Sequence, residues 1–337
     1  MTTRETPSAS SFPSSPAPLR WRQRLTAPAK VNLLLLVGPR RPDGYHEVLS
    51  VMAPLDLHDT LVVDVEISPP LQRRAASLEA GAAVEVEVVC PGVDSELNLA
   101  HQALRAVAAA TGCAFRGRVE IIKRIPTAAG LGGGSSDAAA ALAGAAAAVR
   151  PAGGRALNGD EQRRLAAGLG ADVPFFLAGG CQVASGIGTD LEPIVLPPLP
   201  LLLVLPEEEL SSAAVYRAYD EIVGSEQPES FQQRAARALG DWRVLEQAWV
   251  GRSLPAETAC RRVAQLMSNY LERSAYRLVP DLLFRRVMLE GLGAGAAMMS
   301  GSGPSMFGVF AKAALAGDAH LEAGELGRTS LRARTLP

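Results

Sequence analysis

Pro126-Thr127-Ala128-Ala129-Gly130-Leu131-Gly132-Gly133-Gly134-Ser135-Ser136-Asp137 joins a strand-like run to an alanine-rich helical one. Glycine has no Cβ to block a close approach or to forbid positive φ, so such a turn can gather several backbone N–H groups around one anion. The Ser-Ser-Asp that closes it reads as a helix N-cap, which would turn the positive end of a helix dipole toward the same anion. The loop lacks the Gly-Lys-Ser/Thr ending of a P-loop, and its glycines do not match the Gly-x-Gly-x-x-Gly dinucleotide fingerprint. By itself the spacing fits a tight strand-to-helix connection as well as a phosphate cradle.

On the N-terminal side, the run Val31-Asn32-Leu33-Leu34-Leu35-Leu36-Val37 has the pattern of a buried strand closed by Gly-Pro. Further strands are expected at 60–67, 83–89 and 119–123, with a helix over 96–110. On the C-terminal side come the alanine helix to about 149, a short helix at 160–168, the stretch Gly170-Ala171-Asp172-Val173-Pro174, and strands at 181–184 and 199–205. Residues 211–286 read as mostly helical, and 291–310 return to Gly-rich turns and short strands. The pattern implies an α+β chain divided as a disordered tail at 1–20, an N-terminal domain at 21–198, a C-terminal domain at 199–325 and a tail at 326–337.

With 337 residues, 48% hydrophobic and 20% charged, the chain can bury one large core or two. A net charge of -2 with scattered Lys and Arg gives no basic field for nucleic acid. The apolar run at 138–149 is too short to cross a bilayer, and the Ser/Pro-rich start has no apolar signal core. Cys90, Cys113, Cys181 and Cys260 are far apart and read as reduced thiols, and the four histidines lack zinc-ligand spacing. These features imply a cytoplasmic protein without nucleic-acid or membrane partners.

Four segments stand out together: Pro28-Ala29-Lys30-Val31-Asn32, Asp43-Gly44-Tyr45-His46-Glu47, the glycine loop with Asp172 downstream, and Ser300-Gly301-Ser302-Gly303-Pro304-Ser305. With them the chain resembles the GHMP small-molecule kinases over roughly residues 26–310. Gly-Leu-Gly-Gly-Gly-Ser-Ser-Asp followed by Ala-Asp-Val-Pro is the strong signature. The first two segments resemble the branch whose acceptor is a cytidine diphosphate-linked methylerythritol. Ser305 stands where the family commonly has Thr, which keeps the hydroxyl.

The resemblance implies a two-domain fold, with an N-terminal domain like domain 2 of ribosomal protein S5 and a C-terminal α+β domain. It implies ATP and Mg²⁺, a small-molecule acceptor, and a monomer or homodimer. Phosphoryl transfer to an alcohol needs an oxygen placed in line, help with its proton, and neutralisation of charge on the γ-phosphoryl. By resemblance Asp172 takes or orients the proton, as a base or as a positioning anion, and Lys30 stands beside it to stabilise charge. Residues 126–136 wrap the donor's phosphates, Ser136 or Ser135 reaches the metal, Tyr45 and His46 hold the cytidine, and Asn32 lies near the methylerythritol end. Lys123 reads either as a lysine near the nucleotide or as a solvated strand-end lysine, and Asp137 as a first-turn helix acid, while Glu207, Glu208 and Glu209 are expected to point to solvent, since carboxylates beside an anionic acceptor would be costly; Ser211 and Ser212 could reach the acceptor. Two other readings use the same motifs: a homoserine or mevalonate type of kinase, and a nucleotide-binding regulator without turnover.

Overall fold

The computed structural model describes residues 17–70, 84–223 and 230–337. The expected tail therefore lies mostly outside the described residues, and by Leu19 the chain is already in a strand. In chain order the elements are β1 (Leu19–Arg40), β2 (His46–Ser68), β3 (Val84–Val89), a 3₁₀ turn (Ser95–Leu97), α1 (Leu99–Thr111), β4 (Ala114–Ile122), α2 (Gly133–Val149), α3 (Gly159–Leu169), α4 (Val173–Ala178), β5 (Gln182–Ser185), β6 (Asp190–Pro193) and β7 (Pro200–Val204). They continue with α5 (Ser212–Val223), α6 (Phe231–Val250), α7 (Ala256–Leu266), β8 (Ser268–Asn269), α8 (Glu272–Leu278), α9 (Asp281–Gly291), β9 (Ala296–Met299), β10 (Met306–Val309), α10 (Ala313–Glu325) and β11 (Ser330–Arg334).

The first sheet runs β3-β4-β2-β1-β8, with β5 added to β2 and β6 to β5. Its spine is the long antiparallel hairpin of β1 and β2, registered from Leu19 opposite Ile67 to Arg40 opposite His46. The register slips between Pro28 and Lys30 and again between Asn32 and Leu34. Such bulges bend a strand and re-aim its side chains, and these two flank the residues of the Pro-Ala-Lys-Val-Asn motif. Strands β3 and β4 are parallel neighbours, and α1 makes the crossover between them. Helices α1 and α2 bury Leu104, Val107, Leu142 and Val149 against Leu61, Val65, Phe115 and Val119 of the sheet.

The second sheet, β11-β7-β10-β9, is antiparallel throughout. Two cores join the sheets: Leu33, Leu36 and Val51 pack with Leu201, Phe307 and Trp242, and Leu35 and Val37 pack with Val204, Tyr219 and Phe310. Strand β8, from the second half of the sequence, pairs in parallel with β1 at Leu34 and Leu35. The expectation of a tail from 326 is corrected. Ser330–Arg334 forms β11 on β7, and the Leu336 N–H donates to Pro54 O at 2.8 Å. The alternation of Leu331 and Ala333 with arginines is the pattern of an edge strand, easily taken for a polar tail.

Candidate active site

The glycine loop is held from both sides. The Lys30 N–H donates to Leu131 O at 3.0 Å, the Ser300 hydroxyl to Gly130 O at 3.0 Å, and the Ser305 N–H to Ala129 O at 3.3 Å. Gly130 and Gly132 both lie at φ +74, and a Cβ on Gly130 would stand 2.6 Å from the carbonyl oxygens of Ser300 and Gly303. The two Gly-rich loops thus meet backbone to backbone, as only glycine permits. Helix α2 starts one turn earlier than Ser-Ser-Asp suggested: its N-cap is Gly132, with no side-chain cap, and Ser135, Ser136 and Asp137 lie inside the helix. The first intrahelical bond runs from Ser136 N–H to Gly132 O, which leaves the amides of Gly133, Gly134 and Ser135 at the positive helix end. They border a cavity of about 320 Å³ lined by residues 126–135 and by Pro91, Val93, Leu97, Leu99, Lys123 and Asp137.

Lys123 and Asp137 differ from their expected roles. Lys123 is largely buried between two carboxylates, its Nζ 2.5 Å from Asp59 and 2.9 Å from Asp137. Asp59, fully buried, also accepts the N–H groups of Arg124 (2.6 Å) and Ile125 (2.9 Å) and so fixes the backbone that enters the glycine loop. Burial works against the Lys123 charge, but the two carboxylates outweigh it and hold the ammonium above its ordinary value. Burial also pushes the Asp137 carboxyl up to about 6 despite Lys123, and its Oδ1 has no partner.

A second cavity, also about 320 Å³, is lined by Lys30, Asn32, Ser50, Asp172, Tyr216, Gly301 and Ser302 among others, and Ser135 lines both cavities. Lys30, 6% exposed, places its Nζ 3.4 Å from Asp172, whose carboxylate at the head of α4 is 38% exposed. The lysine N–H donates to Asn32 Oδ1 at 2.7 Å, the Asn32 amide to Ser50 Oγ at 2.8 Å, and the Ser50 hydroxyl to Leu34 O at 2.7 Å. Because the Ser50 hydrogen is committed to Leu34, it can only accept from Asn32, and this orders the amide so that its carbonyl faces the ammonium. Gly301, at φ +59, lies so close that a Cβ there would be 3.3 Å from both Lys30 Nζ and Asn32 Oδ1.

Tyr45 and His46 are not among the residues that line this cavity. Tyr45 is 61% exposed on the β1–β2 turn, whereas His46 is buried, with Nε2 2.7 Å from Asp220 Oδ1. The His46 ring packs against Tyr216 at 5.0 Å and edge-on to Tyr219 at 6.0 Å. Tyr216 does line the cavity; burial, with Asp172 adding to it, pushes its phenol up to about 12 and keeps it neutral.

The family model for the GHMP kinases N-terminal domain matches residues 98–180, and that for the GHMP kinases C-terminal matches 256–327. A 4-diphosphocytidyl-2-C-methyl-D-erythritol kinase of Anaeromyxobacter dehalogenans is 39% identical over 322 residues, covering 92% of this chain and 90% of its own. The chain belongs to this branch of the GHMP kinases. A kinase of the same name from Symbiobacterium thermophilum is 36% identical over 284 residues, covering 83% of this chain and 88% of its own. A crystal structure of 4-(cytidine 5'-diphospho)-2C-methyl-D-erythritol kinase superposes with a TM-score of 0.68 at 33% identity, over 94% of this chain and all of the other. L. major mevalonate kinase shares the fold at 16% identity, with a TM-score of 0.64 over 94% of this chain and 97% of its own.

This GHMP kinase brings Lys30, Asn32, Asp172 and the glycine loop together, and it adds Asn269, which no motif announced. Asn269 is buried on β8 and donates to Met299 O (2.9 Å) and Gly301 O (2.8 Å), fixing the Ser-Gly-Ser-Gly loop. Ser212, at the start of α5, sits 2.6 Å from the Ser302 hydroxyl across the cavity. Glu208 pairs with the fully buried Arg285 at 2.8 Å, and Glu207 with Arg328 at 3.3 Å. Those two acids are therefore held by arginines and do not enter the set of residues lining the cavity. Among the described residues no helix is long and apolar enough to cross a membrane.

Proposed function

We propose that the protein transfers the γ-phosphoryl group of ATP to the 2-hydroxyl of 4-diphosphocytidyl-2-C-methyl-D-erythritol, giving the 2-phosphate and ADP in the non-mevalonate route to isoprenoid precursors. The observation that carries the reading is the meeting of two cavities at Ser135, with Lys30 and Asp172 on the acceptor side. The free amides of the loop and of the first turn of α2 receive the donor's phosphates, and Pro91, Val93, Leu97 and Leu99 supply an apolar wall for its base. The acceptor's hydroxyl comes to Asp172, and its cytosine to Tyr216 on the cavity wall and to His46 and Tyr45 behind it.

In the transfer the acceptor O–H bond breaks and its proton passes to the Asp172 carboxylate. The oxygen forms its bond to the γ-phosphorus, while the bond from the γ-phosphorus to the β-bridging oxygen breaks and ADP leaves with that electron pair. Lys30 balances the charge at Asp172 and on the transferring oxygens. Its position is set by Asn32 and Ser50, so no reorganisation is needed at the moment of reaction.

Mg²⁺ suits these residues as an ion that arrives with the nucleotide. Among the described residues no three His, Cys, Asp or Glu side chains cluster to hold a metal, and Ser136 Oγ and Asp137 Oδ1 are buried without partners. When bound, the ion neutralises phosphate charge. Of the two serines, Ser136 is turned into the fold at 1% exposed and Ser135 faces the junction, which favours Ser135 as the ligand. The reading places the enzyme in the cytoplasm, where both substrates dissolve, as a monomer or homodimer. It is tested by coupled ADP release with Mg-ATP and a panel of acceptors. Turnover with the cytidylated alcohol alone is expected, and equal turnover with homoserine or mevalonate would discard the acceptor assignment.

A further inference from the structure

His46 begins β2 and Asp220 lies on α5, 174 residues later, yet their side chains meet at 2.7 Å. Helix α5 is already docked on the first sheet without this contact, because the Tyr219 hydroxyl donates to Val37 O at 2.7 Å and Val215 and Tyr219 are buried in the shared core. An ionised carboxylate can only accept, so Asp220 requires a proton on His46 Nε2. Among the described residues no protein group takes the other ring nitrogen, Nδ1. The ring is also wedged against Tyr216, which lines the acceptor cavity, so it has little freedom to turn.

We infer that Asp220 is a positioning residue that fixes the proton of His46 on Nε2, leaves Nδ1 as an acceptor, and through it selects cytosine over uracil in the acceptor. The inference rests on the proposed placement of the acceptor's base against His46. Cytosine and uracil differ where one carries an exocyclic amino group and the other a carbonyl oxygen. A lone pair on Nδ1 accepts from the amino group, and it faces a second lone pair when uracil is present. A hydrogen bond of this kind, replaced by two opposed acceptors, changes affinity by about tenfold or more.

The contrast between Asp220→Asn and Asp220→Glu separates this role from docking. Asparagine keeps the size and a hydrogen bond to the ring, but its NH₂ can also donate to Nε2, which permits the proton to move to Nδ1. Loss of the carboxylate beside a catalytic histidine is known to act through the wrong tautomer while geometry is kept. Glutamate retains the acceptor-only group.

The probes are CDP and UDP, with binding measured by calorimetry on the full chain, together with ¹⁵N NMR of histidine-labelled enzyme in which His46 is assigned by its loss in His46→Gln. The wild type is expected to show the Nε2-protonated ring and to bind CDP at least tenfold more tightly than UDP. Asp220→Asn is expected to lower that ratio by about tenfold and Asp220→Glu to restore most of it. An Nδ1-protonated ring in the wild type overturns the inference, and this result needs no folded Asp220 variant. If His46→Gln weakens CDP binding while Asp220→Asn leaves the CDP/UDP ratio unchanged, Asp220 only docks α5 and the inference alone fails. If His46→Gln leaves both affinities within twofold of wild type, the placement of the base fails and takes the inference with it.

Discussion

Gly130→Ala tests whether the two Gly-rich loops act as one unit. The position lies at φ +74, where an L-residue costs about 1–2 kcal/mol. The new Cβ would stand 2.6 Å from Ser300 O and from Gly303 O. A carbon and a carbonyl oxygen settle no closer than about 3.3 Å, so the loops must part by roughly 0.7 Å. That movement strains the bonds from Ser300 Oγ to Gly130 O and from Ser305 N–H to Ala129 O. Together the strain and the separation are expected to cost roughly 2–4 kcal/mol of stability. They should also lower kcat/KM for ATP by about 100-fold, since a displacement approaching 1 Å at a positioned phosphoryl group has that effect. Urea melts and steady-state kinetics with varied ATP measure both. Gly168→Ala, on α3 with open space at its Cβ, is the control and should leave stability within about 1 kcal/mol. Wild-type stability together with kcat/KM within twofold in Gly130→Ala would refute the coupled-loop argument.

Asn269→Ala removes two amide donations to the Ser-Gly-Ser-Gly loop and the acceptor for Leu271 N–H, all buried, and should cost roughly 2–4 kcal/mol in thermal or urea unfolding. For Asp137, burial lifts the folded-state carboxyl to about 6 from an ordinary value near 4. The folded protein thus favours the protonated form, and the stability tied to this group is present in full below about pH 4 and is lost as pH rises through about 6. The stability of the wild type relative to Asp137→Asn is therefore expected to fall between pH 4 and pH 7, read from urea melts across that window. Parallel curves for the two proteins, or the opposite slope, would contradict the burial argument.

The buried run at 31–37 and the glycine loop were legible because apolar density and missing Cβ atoms are local signals. The full span of β1 was less so, since Pro28 interrupts it and the polar residues at its start read as coil, although they alternate against β2. The Ser-Ser-Asp cap was misplaced because a glycine in the left-handed region does the capping, and no side-chain pattern announces that. Lys123 looked solvated because the two carboxylates that bury it come from positions 59 and 137. Asn269, Tyr216 and the Asp220 partner of His46 come from strands and helices far along the chain, and their contacts follow from tertiary packing alone. The quoted motifs told the family because they are the contiguous segments in which backbone and side chain act together, whereas the residues that position them are scattered.

Whether Lys30 and Asp172 carry the transfer at the junction of the two cavities is decided by the single-turnover rate of Asp172→Asn with saturating Mg-ATP and the cytidylated acceptor. Asparagine keeps the volume beside Lys30 and removes the proton acceptor. The rate is expected to fall by about 10³-fold or more, while ATP affinity stays within about threefold of wild type. A rate within tenfold of wild type would contradict the assignment of Asp172 to the reacting hydroxyl.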